Sequence, residues 1–305
     1  DNNTAVGKDA LFANTTGTFN VAVGSGALVN TTTSNGNTAI GYQTMRGTSG
    51  NNNTAVGRES LKNNTANDNA AFGNIALRDN TSGTNNAAFG DRSLLENTTG
   101  SNNTAVGKSA LQRNTTASNN VAVGFGCLDV NTTGFNNVGV GTNALGAVTT
   151  GYMNTAVGNN CADAITTGLN NVAIGQSALG ATTTGESNTA VGTSALQSNT
   201  TASNNTAIGR STLAANTTGT SNSALGKDAL KSNTTGSNNI AIGTLSLDSN
   251  STGGTNVAVG VHTLGANTTG SENTAIGQQA LLVNTTASYN TAVGSNALDA
   301  NTTGS

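Results

Sequence analysis

One pattern of apolar and polar positions recurs along the whole chain. It consists of Asn, then mostly Thr or Val, then a near-constant Ala, then Val, Ile, Phe or Leu, then Gly, with Leu four residues later in most copies. Counting by this glycine, here called the anchor glycine, gives eighteen copies from Gly7 to Gly294, spaced by 17 residues apart from two spacings of 16. Such periodicity outweighs the two globular domains that 305 residues would otherwise suggest. We therefore predict a single repeat array over residues 1–305, without a separate capping domain.

Each copy predicts two short strands separated by turns. The first strand is Thr-Ala-Val and the second begins at the Ala-Leu pair, as at Ala10 and Leu11. β-Branched residues suit strands, and Gly and Asn supply the positive φ angles of tight turns. Seventeen residues leave no room for a helix as well, which excludes a leucine-rich repeat. The prediction is an all-β fold, a narrow parallel β-solenoid or β-roll of eighteen 17-residue coils. At about 4.8 Å per coil it would be a rod about 85 Å long.

Asparagine occupies the position four residues before the anchor glycine in all eighteen copies. Stacked coils place these amides over one another, so every buried donor and acceptor can find a partner. The predicted structural ladder consists of Asn3, Asn20, Asn37, Asn53, Asn69, Asn86, Asn103, Asn120, Asn137, Asn154, Asn171, Asn188, Asn205, Asn222, Asn239, Asn256, Asn273 and Asn290. A second Asn column, seven residues after the anchor glycine, is replaced by Val148, Ile165 and Thr182 in three consecutive coils. There we predict apolar packing instead of a ladder.

The near-constant Ala of the first strand predicts close contact with another chain or with another part of the same coil. Alternation along a strand puts Ala on one side and its two neighbours on the other. If the larger neighbours fill the interior, Ala faces outward, yet it is not replaced by polar residues as a solvent-facing column would be. The candidate lateral interface is Ala105, Ala122 and Ala156.

Composition excludes several classes of partner. The net charge is −3 and charged residues make up 8% of the chain, so we predict no binding to nucleic acid. The apolar runs are too short to cross a membrane, and we predict no membrane span. The charges fall at turn positions, which predicts solvated corners. The sequence starts at Asp1 with no visible signal peptide, so we expect a mature or excised segment.

The residue types that carry catalysis or bind metals are scattered. Cys127 and Cys161 are two coils apart, about 9.5 Å along the stack, beyond the roughly 7 Å between Cα atoms that a disulfide allows. They are predicted to be small buried hydrophobic residues. His262 is the single histidine, and the acidic residues do not recur as pairs in adjacent coils. We predict no enzymatic activity, no catalytic residues, no metal site and no cofactor.

The segments V-A-V-G-x-x-A, V-A-I-G-x-x-A and T-A-V-G-x-x-A resemble the head repeats of YadA-type trimeric autotransporter adhesins. The longer T-A-V-G-x-x-A-L-x-x-N-T-T-G is also similar to repeats of phage tail fibres and bacterial surface fibres. The resemblance covers every coil. It implies a left-handed β-roll, a homotrimer and a location outside the cell or on a virion. The coils here are longer than those of YadA, and these residues include no neck, coiled-coil stalk or membrane anchor.

These observations predict a structural subunit of an extracellular filament or adhesin-type fibre, whose partner is itself. The first and last coils are ordinary copies of the repeat, and a second chain stacked on the first would continue its register. We therefore expect head-to-tail stacking, lateral packing or both. A host-surface or glycan ligand is not identifiable from the sequence. The alternatives are an ice-binding or a carbohydrate-binding β-solenoid. Ice binding favours a regular T-x-T strand, whereas here the third slot is Val or Ile.

Overall fold

The computed structural model of the protein describes residues 2–304. They form eighteen short strands and, within that range, no helix. The chain divides into two compact units, Asp1–Tyr152 and Met153–Ser305. The strands of the first unit are β1 (Thr4–Val6), β2 (Val21–Val23), β3 (Thr38–Ile40), β4 (Thr54–Val56), β5 (Ala70–Phe72), β6 (Ala87–Phe89), β7 (Thr104–Val106), β8 (Val121–Val123) and β9 (Val138–Val140). Those of the second are β10 (Thr155–Val157), β11 (Val172–Ile174), β12 (Thr189–Val191), β13 (Thr206–Ile208), β14 (Ser223–Leu225), β15 (Ile240–Ile242), β16 (Val257–Val259), β17 (Thr274–Ile276) and β18 (Thr291–Val293).

Each unit is a parallel β-solenoid. In the first unit β1 to β9 pair in chain order, and in the second β10 to β18 do the same. Equivalent residues lie over one another, and a 16-residue spacing does not shift them, because Ala39 still pairs with Ala55. The all-β parallel solenoid is therefore confirmed. The single array without a separate capping domain stays a prediction.

The second predicted strand is not formed within residues 2–304. The segment after the anchor glycine makes two turns in succession, with Ala10 N–H bonded to Gly7 O at 3.4 Å and Asn14 N–H to Leu11 O at 3.1 Å. Leu11 has a φ of 51°, and the equivalent leucines are also left-handed. A strand requires negative φ, so the prediction of two strands per coil was wrong. A short coil must reverse direction more than once. Residues in the left-handed conformation make such a reversal over fewer residues than extended residues would.

The interior of each coil is narrow, and alanine fills its strand side. Ala105, Ala122 and Ala156 are all 0% exposed. On the opposite side lie the leucine column, such as Leu111, and the small residue that precedes each leucine. The prediction that Ala faces outward was wrong, because the space between strand and leucine admits one methyl group and the larger neighbours must point out. A lateral interface cannot form through side chains that have no accessible surface.

One coil shows how tightly this interior is filled. Gly139 is the single glycine in the Ala column, and a Cβ placed there would collide with Sγ of Cys127 in the preceding coil. Cys127 thus occupies the space that an alanine methyl takes elsewhere. Cys127 and Cys161 are both buried and free, as predicted. Burial raises the pKa of Cys127 to about 12 and that of Cys161 to about 11, so at pH 8 both remain protonated thiols.

We expect Gly139→Ala and Cys127→Ala to compensate for one another. Gly139→Ala alone overfills the coil and should lower the free energy of unfolding by about 1–3 kcal/mol. In the double variant the new methyl occupies the space vacated by Sγ, so stability should return close to that of the parent chain. Chemical denaturation of the four proteins gives the coupling energy. Additive effects of the two substitutions would show that Cys127 and Gly139 do not share this space.

Candidate functional surfaces

The first Asn ladder joins successive coils through both backbone and side chain. Oδ1 of Asn103 accepts the backbone N–H of Asn120 at 3.0 Å, and Oδ1 of Asn120 accepts that of Asn137 at 2.9 Å. Nδ2 of Asn120 donates to the carbonyl of Gly134 at 2.9 Å. In several coils Nδ2 also approaches the preceding Oδ1, as from Asn188 to Asn171 at 3.1 Å. The predicted Asn ladder is confirmed, with more of its bonds made to the backbone than we expected.

The second Asn column is a ladder of amide-to-amide bonds. Nδ2 of Asn97 donates to Oδ1 of Asn80 at 2.7 Å and also to the carbonyl of Gly100 at 2.9 Å. The same carbonyl accepts Nδ2 of Asn86, a member of the first ladder, at 2.9 Å. One backbone oxygen of the N-T-T-G segment therefore ties the two ladders together in that coil.

The interruption of the second ladder leaves a specific defect. Oδ1 of Asn131 is buried without a hydrogen-bond partner, because the next residue of its column is Val148. Val148 and Ile165 are completely buried, which confirms apolar packing at these two positions. Thr182 behaves differently, since its Oγ1 accepts Nδ2 of Asn199 at 3.2 Å and it donates to the carbonyl of Asn199 at 3.0 Å.

We expect the two columns to differ in sensitivity to substitution. Asn120→Ala removes the acceptor of the Asn137 N–H and a donor to Gly134, at a cost of about 1–3 kcal/mol for the buried groups left unpaired. Thr182→Asn should be mild, because the new Oδ1 can accept from Asn199 as other ladder residues do. Thermal unfolding of the two variants measures the difference. Equal shifts would contradict a stabilising role for the first ladder.

The outer side of the strands is a continuous uncharged surface in each unit. This strand face consists of the first and third residues of every strand, and none of the eighteen strands has a charged residue there. Half of the first positions are Thr, as in β7 and β10. The more exposed third positions, between 37% and 68% accessible, are Val6, Ile40, Phe89, Val106, Val140, Val157, Ile174, Ile208, Leu225, Ile242, Ile276 and Val293. Phe72 and Phe89 stack on this face with ring centroids 4.9 Å apart.

Charged side chains gather in the two successive turns that follow the anchor glycine. This region of each coil is here called the turn corner. Arg78 bonds to Asp79 at 2.7 Å, and Lys62 lies 3.4 Å from Glu59. Partly exposed pairs of this kind contribute little to stability. Asp228 departs from the predicted solvated corners, because it is largely buried, with Lys231 at 3.5 Å and two further cations at 3.9 Å.

Within residues 2–304 no three His, Cys, Asp or Glu side chains are placed to hold a metal ion. The same part of the chain has no helix long and apolar enough to cross a membrane. Compared with known protein families, curated proteins and solved structures, the chain matches none of them. The resemblance to YadA-type head repeats therefore stays a prediction.

Proposed function

We propose that the chain is a structural module of an extracellular fibre or surface adhesin, and that copies of the chain associate laterally through the strand face. The observation that carries this proposal is the uncharged strand face with its exposed Val, Ile and Phe side chains. Contiguous apolar patches beyond a few hundred Å² are uncommon on monomeric soluble proteins and mark interaction sites. The extracellular location is supported by the resemblance of the repeat alone.

The occupant that fits the strand face is a second copy of the same chain. The side-chain rows recur once per coil, at about 4.8 Å. Another strand face has the same spacing, so its rows can interdigitate with these rows along their whole length, as in a steric zipper. A charged partner would leave its charges unpaired against Val and Ile, which disfavours it.

Head-to-tail stacking would use the bonds that already join the coils. Backbone N–H groups donate to the next coil throughout each unit, as from Leu28 to Thr44 at 3.1 Å. The two ladders add side-chain bonds in the same direction. A stack of this kind is stiff because each coil is fixed to its neighbours through the backbone, both Asn columns and the interior, which suits a fibre under tension better than a catalyst.

We expect Val106→Lys to weaken self-association at least tenfold. Val106 lies on the strand face and is 38% exposed, so lysine there leaves the fold intact but places a charge in the proposed contact. Sedimentation at a series of concentrations measures the dissociation constant. Gln112→Lys is the control, because it adds the same charge at the turn corner, where the equivalent residue of another coil is Lys62.

Two results would contradict lateral association. One is a parent chain that stays monomeric at every concentration. The other is identical association of the Val106→Lys and Gln112→Lys variants. If the parent associates and both variants do so equally, the contact lies outside the strand face.

Ice binding is the second candidate, favoured by the outward-facing Thr of the same strands. Thr104 and Thr155 belong to an uncharged, regularly spaced surface. Val or Ile at the third position departs from T-x-T. Thermal hysteresis of the purified chain separates the candidates, since lateral packing predicts none and ice binding a clear positive result.

A further inference from the structure

A trough runs along the turn corner of the second unit. It consists of two adjoining depressions of about 360 and 340 Å³ that share Gln197 and Ser198. Asp163 lies in the first depression and Lys231 in the second. The floor between them is made by small residues, among them Gly180 and Ala214.

The trough exists because two columns of the repeat carry fewer large side chains in the second unit. These are the fifth and sixth residues after each anchor glycine. In the first unit they include Arg78, Asp79, Glu96 and Arg113. In the second unit the sixth position is Ala or Ser in every coil except the one at Val283. The backbone keeps the same turns in both units, so shorter side chains leave open space above it.

The polar groups of the trough are evenly spaced. Asp163, Gln197 and Lys231 occupy the same column and are each 34 residues apart. That separation is two coils, or about 9.5 Å along the stack. Gly180 and Ala214 occupy the column in the coils between them. The surface therefore alternates a polar side chain with an open floor.

These groups are accessible to a ligand. Gln197 and Lys231 are exposed, and Asp163 is half-buried with no ion pair within residues 2–304. Desolvation raises the pKa of Asp163 from its ordinary value. Lys231 is held at its end of the trough by Asp228, whose Oδ1 lies 3.5 Å from Nζ.

We propose that the trough binds a linear β-1,4-linked glycan in its extended form, with the side chains of Asp163, Gln197 and Lys231 bonding to its hydroxyl groups. In such a glycan the same face recurs at every second sugar, a repeat close to two coils. An extended peptide repeats its side-chain pattern about every 6.8 Å, which does not match. Glycine and alanine on the floor leave room for the flat sides of the rings.

This inference does not rest on lateral association. The strand face precedes the anchor glycine, whereas the trough lies on the residues after it. Copies packed through their strand faces would keep the trough open. Failure of the glycan experiment and failure of the association experiment are therefore distinguishable, since the first concerns Ala181 and Gln197 and the second Val106.

Calorimetric titration of the full 305-residue chain with cellohexaose and with β-1,4-mannohexaose tests the proposal. We expect saturable binding of at least one of them, and at least tenfold weaker binding of maltohexaose, whose α-linkages prevent an extended shape. Ala181→Arg fills the floor and should weaken binding at least tenfold. Arg113 occupies the equivalent position in the first unit, so arginine is compatible with this column.

Ala266→Arg is the matched control for Ala181→Arg. It adds the same side chain to the same column. Ser232 is the last residue that lines the trough, and Ala266 lies 34 residues, and therefore two coils, beyond it. Because the new side chain lies outside the trough, this variant should bind the hexasaccharide as the parent chain does.

Gln197→Ala removes one polar group without filling the floor and should weaken binding at least threefold. It carries the test if Ala181→Arg fails to fold. The proposal is overturned if neither extended hexasaccharide binds saturably, if maltohexaose binds equally well, or if binding is unchanged in both Gln197→Ala and a folded Ala181→Arg.

Discussion

Ala105→Lys should unfold the coils around residue 105 rather than detach a neighbouring chain. Ala105 is 0% exposed and its methyl group points into the narrow interior of the first unit. An ammonium group there would lie against Ala and Leu side chains with no carboxylate to pair with. Burying an unpaired charge costs several kcal/mol, here on the order of 4 kcal/mol or more once overpacking is added.

Thermal unfolding followed by circular dichroism measures this effect, and we expect the midpoint to fall by about 10 °C or more. Thr104→Lys is the control, because the adjacent side chain points outward and lysine can reach solvent. It should retain the fold. Equal losses of stability in the two variants would contradict the inward orientation of the Ala column.

The repeat, the parallel stacking and the Asn ladder could be predicted from the sequence, because each follows from periodicity alone. Residues that recur every coil must lie over one another, and a buried amide in such a column finds its partner in the next coil. Two hydrogen bonds of Asn120 could not be predicted, the one that its Nδ2 donates to the Gly134 carbonyl and the one that its Oδ1 accepts from the Asn137 N–H. Both depend on how the chain turns between the columns.

The orientation of the strand could not be settled by alternation, which separates two sides but does not say which is inside. The prediction assumed that larger side chains fill the interior. The signal that favours the observed orientation is the mixture of Thr and Val at positions such as Thr104 and Val121, because a hydroxyl is tolerated where solvent is near. The conformation of Leu11 could not be predicted either, since leucine rarely adopts a positive φ. It does so here because its side chain fills the core.

The strand face and the trough were missed for different reasons. The strand face follows directly from the orientation of Ala105, so the wrong orientation concealed it. The trough depends on where small residues replace large side chains, and a consensus pattern describes only the residues that recur. Its signal in the sequence is the change at the sixth position after the anchor glycine, from residues such as Glu96 and Arg113 to Ala181 and Ser198.

Two glycines of one coil should differ greatly in their sensitivity to substitution. Gly24 is an anchor glycine with a φ of 129°, a region that residues with a Cβ hardly enter. A Cβ there would also collide with the carbonyl oxygen of Gly41 and lie 2.7 Å from its carbonyl carbon. Both atoms belong to the backbone of the next coil and cannot rotate away. Gly24→Ala should therefore cost on the order of 3 kcal/mol or more, from strain together with the collision.

Gly26, two residues later, has a φ of 71°, and a Cβ there would meet Cγ of Gln43 at an ordinary 3.5 Å. Asn143 occupies the equivalent position of another coil with a φ of 54°, so Gly26→Asn should change stability by less than about 1 kcal/mol. Chemical denaturation of the two variants compares them directly. If Gly24→Ala were as mild as Gly26→Asn, the spacing between coils would have to be adjustable, and the in-register backbone contact between anchor glycines would not be what fixes glycine at this position of the repeat.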